Sequence, residues 1–184
     1  MPHDVEGLIG LMGGNEKFVE KLDSLFTADS SLEGDLVSAD ISGLIGQYAH
    51  GNEPSHHILH LYNYAGEPWK TQELVDRVMK EQYRNDVDGL SGNEDCGQMS
   101  SWYILNALGF YQVVPGKPVY SIGRPWFSEM TVNMPNGKKI EISVENFSKD
   151  NKYIESVTLD GKLLETPFFT HEQIKNGAKF HYVI

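Results

Sequence analysis

Near Pro115 the spacing of apolar residues changes period, which divides the chain into a helical part and a stranded part. Before it, Phe18, Val19, Leu22, Leu25 and Phe26 recur at helical intervals behind Gly13-Gly14-Asn15, a helix start. Residues 29–46 are rich in Ser, Gly and Asp and read as a long loop. Pro54 suits a first helical turn, and the spacing predicts a helix from there through Ile58, Leu61 and Tyr62 to a stop near Gly66. Pro68 to Tyr83 is a third helix, with Trp69, Leu74, Val75, Val78 and Met79 facing inward. Met99, Trp102, Tyr103, Leu105, Leu108 and Phe110 are too dense for a one-faced surface helix, so Met99 to Phe110 reads as buried on most sides. With the opening segment this makes about five helices, part of an α-helical toroid or bundle rather than a closed one.

Beyond Pro115 the pattern is one of short strands. Met130 to Met134, a Pro135-Asn136-Gly137 turn and Lys138 to Val144 read as a hairpin, because Asn-Gly between alternating runs favours a tight turn. Tyr153 to Leu159, Asp160-Gly161 and Lys162 to Leu164 form another. Thr170 to Asn176 reads as one helical turn closed by Gly177, and Phe180 to Val183 as a last strand. The fold class is therefore α+β, with residues 115–184 a small antiparallel β unit packed on the helices. There is no internal repeat and no low-complexity segment.

A chain of 184 residues can bury a core and form one domain or two. Its formal net charge of −11, from 15 Lys and Arg against 26 acids with no basic cluster, argues against nucleic acid as a partner. The single cysteine, Cys96, excludes an intrachain disulfide and leaves the compartment open. No signal-peptide pattern is read at the start, and no apolar run approaches the roughly 20 residues that span a bilayer.

The segment Gly92 to Tyr103 places two adjacent acids, Glu94 and Asp95, where a Gly-flanked loop runs into an apolar helix. Acids at such a junction serve as catalytic bases or hard-metal ligands, or they cap the helix, where its dipole and free N–H groups favour negative charge. Both readings stay open on these residues alone. The stretch Gly51-Asn52-Glu53-Pro54 poses the same choice, offering a carboxylate, an amide and carbonyl oxygens just before a helix start. His56 and His60 share a helical face and suggest zinc, but no Glu follows His56 as in the metalloprotease motif and no Cys is near. A structural or sugar-contacting role for His56 and His57 is favoured. Core packing is expected for Trp69 and Trp102, and burial without reactivity for Cys96.

Three segments, His50 to His57, Gly92 to Tyr103, and Gly109 to Gly116, together resemble glycoside hydrolase family 92, the calcium-dependent exo-acting α-mannosidases. They occur in the family's order and cover most of residues 2–123. The resemblance implies inverting hydrolysis of terminal α-linked mannose, as in N-glycan degradation, with a bound Ca²⁺ helping to distort the sugar. An acidic surface suits a neutral sugar and a divalent cation. Family members are several times longer, with a β-sandwich before an (α/α)6 barrel. The resemblance therefore makes residues 1–114 the C-terminal part of that barrel and residues 115–184 a β appendage. Met1 falls inside the family's barrel and is expected to be a start placed by truncation.

Carried over residue by residue, the resemblance makes Asp95 the general base, with Glu94 supporting. Asn93 stands where some members have a second helping carboxylate. It puts Asn52 and Glu53 at the calcium and lines the mannose cleft with His50, Glu53, His56 and His57, joined by His3 and Asp4. Inversion needs an acid and a base with carboxyl groups roughly 6.5–9.5 Å apart, so adjacent residues supply only one side. The family's general acid lies in a Glu-Gly-Asn-Ala-Trp-Gln motif just before the Pro-His-Asp that opens this chain. The chain alone is thus expected to hold a base without its acid and to be nearly inactive. The resemblance further implies a periplasmic, cell-surface or secreted address for the intact protein, an upstream remainder of the same polypeptide, and association of copies through an exposed barrel face. The alternative is a noncatalytic carbohydrate-binding or interaction fragment that keeps the cleft loops.

Overall fold

The computed structural model describes residues 3–33 and 41–184. Helix α1 (Val5–Leu11) starts at Asp4, whose Oδ1 accepts the Gly7 N–H at 2.9 Å. Gly13 and Gly14 then turn the chain with φ of 92° and 105°, and α2 (Asn15–Thr27) buries Phe18, Val19, Leu22 and Phe26 as the spacing predicts. Part of the expected long loop at 29–46 lies outside the described residues. Its end forms a two-residue ladder, β1 (Leu44–Ile45) with β2 (Tyr48–Ala49).

The helix expected from Pro54 to Gly66 is broken into 3₁₀ turns at Glu53–Ser55 and Ile58–His60, followed by a short α3 (Leu61–Tyr64). A cause is visible in the carbonyls. That of His56 accepts the Trp102 indole N–H at 3.0 Å, while the His60 N–H goes to His57 three residues back. Helix α4 (Pro68–Glu81) buries Val75, Val78 and Met79 as expected. Trp69 departs from expectation and is 46 % exposed. The face turns instead toward Thr71 and Gln72, which are buried because Thr71 Oγ1 donates to the Leu59 carbonyl and Gln72 Oε1 accepts the Ile154 N–H.

Helix α5 (Gln98–Ala107) is shorter and less enclosed than its density suggests. Met99, Trp102, Asn106 and Ala107 form one buried stripe, while Ser100 and Ser101 are exposed and Ile104 is 57 % exposed. Gly109 ends it with a φ of 92°, where a Cβ would lie 2.8 Å from Pro125.

The next residues open a three-stranded antiparallel sheet in the order β3 (Phe110–Tyr111), β4 (Val119–Ile122), β9 (Phe168–Thr170). A five-stranded sheet runs β5 (Glu129–Asn133), β6 (Lys139–Glu145), β10 (Ala178–Val183), β7 (Ser156–Leu159), β8 (Lys162–Leu163). Both expected hairpins are present, with Asn133 opposite Lys139 and Leu159 opposite Lys162. The unit is not purely antiparallel, because β10 slots between β6 and β7 and runs parallel to β6, Ala178 facing Ile140. Helix α6 (His171–Ile174), opened by the Thr170–Gln173 capping box, supplies the crossover before β10.

Two apolar cores result. One gathers Phe18, Tyr48, Tyr62, Val75 and Trp102, and the other Phe110, Ile142, Phe169 and Phe180. Successive residues of β3 point to opposite sides, so Phe110 enters the second core and Tyr111 the first. A buried ion pair, Arg124 to Asp76 at 3.3 Å, joins the segment after β4 to α4, and Arg124 also donates to the Ser148 and Asn151 carbonyls.

Candidate active site

Two loops with the same tripeptide meet here. Gly51-Asn52-Glu53 leads into the first 3₁₀ turn, and Gly92-Asn93-Glu94 leads toward α5. Their glycines touch backbone to backbone, since a Cβ on Gly92 would sit 2.5 Å from the Gly51 carbonyl oxygen and 2.7 Å from its Cα. No side chain fits between them. The contact carries Glu53 next to Asp95, close enough for the Glu53 carboxyl to raise that of Asp95 above its usual range.

Between Glu94 and α5 the backbone takes three successive left-handed residues, Asp95, Cys96 and Gly97, with φ of 45°, 57° and 91°. For non-glycine residues this conformation costs roughly 1–2 kcal/mol each, and such strain gathers at functional sites. The turn delays the helix and separates the roles of the two acids. Glu94 Oε1 accepts the Ser100 backbone N–H at 3.2 Å and its Oε2 accepts the Ser100 hydroxyl at 3.0 Å, which satisfies a free donor in the first turn of α5. Asp95 is left exposed, and the hydrogen bond with Glu53, then the Glu53 charge, raises its carboxyl above the usual range. Glu53 Oε1 is buried with no hydrogen-bond partner among the described residues. Cys96 is exposed by the same turn, contrary to the expected burial.

The histidines form the support beneath these loops. His50 and His56 are buried, their rings 4.8 Å apart, and His50 meets Trp102 edge-on at 4.5 Å. Their tautomers follow from the partners. The Tyr83 hydroxyl donates to the Met99 carbonyl at 3.1 Å, so it accepts from His50 Nε2–H at 2.8 Å, and the Tyr48 hydroxyl donates to His50 Nδ1 at 2.7 Å. His56 Nε2–H donates to the His50 carbonyl at 2.9 Å, which leaves His56 Nδ1 as acceptor for the Gln98 amide at 3.1 Å. Both rings are held neutral by burial, with the His50 pKa lowered to about 3 and that of His56 lowered in the same direction. All four ring nitrogens are taken by protein groups, so as sugar contacts or zinc ligands these rings have no free nitrogen to offer.

His57 is half-buried, and burial lowers its pKa. Asn52 is half-buried and Asn93 exposed, each beside its acid. His3 and Asp4 lie exposed at the start of α1, where Asp4 caps the helix and borders a cavity of about 160 Å³ with Tyr64 and Val114. Among the described residues no hydrogen bond joins them to either loop. A larger hollow of about 540 Å³, lined by Tyr83, Ser100, Tyr103 and Ile104, contains neither Glu53 nor Asp95. The neighbouring acids and the strained turn make the loops the candidate site. Sequence reasoning missed Gln98, Tyr48 and Tyr83, whose partners lie 42, 2 and 33 residues away along the chain and leave no periodic mark.

Comparison with known proteins fits this geometry. Residues 1–184 match the model of the glycosyl hydrolase family 92 catalytic domain. The chain is 33 % identical over 181 residues to an uncharacterized secreted glycosidase of Arthroderma benhamiae, covering 97 % of this chain and 21 % of that protein. Among solved structures, the family GH92 α-mannosidase BT3965 from Bacteroides thetaiotaomicron in complex with mannoimidazole is 45 % identical with a TM-score of 0.92, covering 99 % of this chain and 24 % of that one. The family GH92 inverting mannosidase BT2199 of the same organism is 38 % identical with a TM-score of 0.82, covering 99 % and 26 %. The chain thus spans about a quarter or less of the length of these relatives. Matched along its whole length, it belongs to glycosyl hydrolase family 92.

Proposed function

We propose that this chain supplies the base side of an inverting, calcium-dependent α-mannosidase that removes terminal α-linked mannose from glycans. The observation that carries the reading is the glycine-locked meeting of the Glu53 and Asp95 loops, with one buried Glu53 oxygen left without a partner among the described residues. Kinship supports the substrate class, since one solved relative holds a mannose-like imidazole and another is an inverting mannosidase.

The residues fit a hard cation. Glu53 and Asn52 offer oxygen donors, and the orphaned Glu53 Oε1 is costly to bury unless a cation or proton meets it. Among the described residues no three His, Cys, Asp or Glu side chains come together as a metal cage, so the remaining ligands would be carbonyls, water and sugar hydroxyls. Asn52 and Glu53 would hold the calcium, which would supply a positive charge for sugar hydroxyls. Asp95, exposed on its turn, accepts the proton of the attacking water. Glu94 holds the start of α5 and thereby fixes the turn that presents Asp95. Asn93 can orient water but takes no proton. His57, His3 and Asp4 remain proposed cleft contacts.

In this reading α1 to α5 belong to an (α/α)6 barrel, residues 115–184 are its β appendage, and the general acid comes from outside these residues. General acid catalysis contributes typically 10²–10⁴-fold, so the chain alone is expected to be nearly inactive. The intact enzyme is proposed to be secreted or held at the cell surface, in keeping with the secreted relative. No helix among the described residues is long and apolar enough to cross a membrane. Assay of an activated α-mannoside tests the proposal. The chain alone should show no turnover, and a family enzyme carrying this segment together with an acid-bearing barrel half should lose more than about a hundredfold on D95N. Full activity of D95N would overturn the assignment of the base.

A further inference from the structure

The two acidic loops are joined a second time, beyond the glycine contact. The residue three positions after Glu53 is His56, and its N–H donates to the Glu53 carbonyl at 3.0 Å. The residue three positions after Asp95 is Gln98, and its N–H donates to the Asp95 carbonyl at 3.2 Å. The side chains of these two residues then bond each other, Gln98 Nε2 to His56 Nδ1 at 3.1 Å. Each acid is thus tied through one backbone bond to a residue whose side chain grips its opposite number.

The clamp is fixed at both ends. The second amide hydrogen of Gln98 goes to the Tyr111 hydroxyl at 3.3 Å, which sets the orientation of the amide. His56 is held by its own bond to the His50 carbonyl and, through its carbonyl, by the Trp102 indole at 3.0 Å. Trp102 belongs to the same helix as Gln98, so α5 holds the Glu53 loop at two points one turn apart.

We infer that Gln98 is a positioning residue, which through His56 sets the separation of the Glu53 and Asp95 carboxyl groups. It acts through the two loops. The consequence for binding rests on the calcium reading above, whereas the geometric claim does not.

The test uses the 184-residue chain as it stands, with Gln98→Leu, which keeps the size and removes the donor, and Ser121→Ala as control. Ser121 makes a comparable buried bond to a histidine, His60 Nδ1 at 3.1 Å, away from the loops. Crystal structures of wild type and Q98L decide the clamp. We expect the Glu53 and Asp95 carboxyls to separate by an ångström or more in Q98L and to stay in place in S121A, and an unchanged separation in Q98L overturns the inference. Calcium calorimetry on the same proteins decides the consequence. Q98L should weaken binding about tenfold while S121A, though less stable, binds as wild type; equal affinity in Q98L and wild type counts against positioning. Absence of calcium binding in wild type would sink the calcium reading alone and leave the crystallographic comparison to decide the clamp. If Q98L fails to fold, Gln98→Met serves in its place with the same two outcomes.

Discussion

Gly51-Asn52-Glu53 and Gly92-Asn93-Glu94 share three residues and diverge at the fourth. Pro54 follows the first, so a right-handed turn begins at once and Glu53 becomes its opening residue. One oxygen of its carboxyl ends up buried without a partner among the described residues. Asp95 follows the second, and the left-handed run through Gly97 postpones the helix to Gln98. That detour lets Glu94 reach forward to Ser100 and commits its charge to the helix, so the next acid is the one left exposed. The same tripeptide therefore yields a proposed cation ligand in one place and a cap in the other. The backbone after it decides which.

The largest effect that would sharpen this contrast comes from acid. The first loop carries the neutral rings of His50 and His56 in its own segment, while the second meets them only through Gln98. His50 and His60 titrate at about 3 and about 4 in the fold against 6.5 when free, both pushed down by burial. Because the unfolded chain binds protons first, stability is untouched above pH 6.5 and is lost as the pH falls through 6.5 toward 4, on the order of 3 kcal/mol for each ring. Denaturant unfolding from pH 7.5 to 4.5 should show this slope, and hydrogen exchange should rise at residues 50–57 before residues 94–100. A flat profile would mean that the rings are solvated.

Next in size is Gly92→Ala. Its Cβ would meet backbone at 2.5 Å, which no rotamer change relieves, so about 1–3 kcal/mol of stability should be lost in urea titration together with the pairing of the loops. Gly14→Ala offers a contrast, since open space surrounds that position and the cost there is only the strain of a φ of 105°.

Smaller still, Glu94→Ala should cost about 1 kcal/mol through the lost Ser100 bonds, in line with other helix caps. Smallest and opposite in sign, Asp95→Gly removes a side chain from a φ of 45° and should leave the protein as stable or up to about 0.5 kcal/mol more stable, while abolishing the base. If thermal denaturation showed Asp95→Gly to be the more damaging of the two, the division of labour between these acids would be reversed.

Much of the fold is legible in the residues. The spacing in α2 and α4 and the Asn136-Gly137 hairpin signal act locally, and each appears where it is expected. The parallel pairing of β10 with β6 is not legible, because Lys179 meets Glu141 across 38 residues and nothing local records it. The two-residue strand β3 is too short to carry a period at all. At the site, the family motifs point to Asp95 and Glu53, yet whether Glu94 or Asp95 caps the helix hangs on backbone angles. Nor is the enclosure of His50 and His56 legible, because histidines in a loop look available for contact. Tyr83 and Gln98, which occupy their ring nitrogens, come from distant parts of the chain.

The claim that Glu53 and Glu94 play opposite parts is tested most directly by calcium calorimetry on wild type, Glu53→Gln and Glu94→Gln. Wild type should bind one ion, E53Q should lose at least about tenfold in affinity, and E94Q should bind like wild type while melting lower. Binding that survives E53Q, or that falls equally in E94Q, would contradict the account.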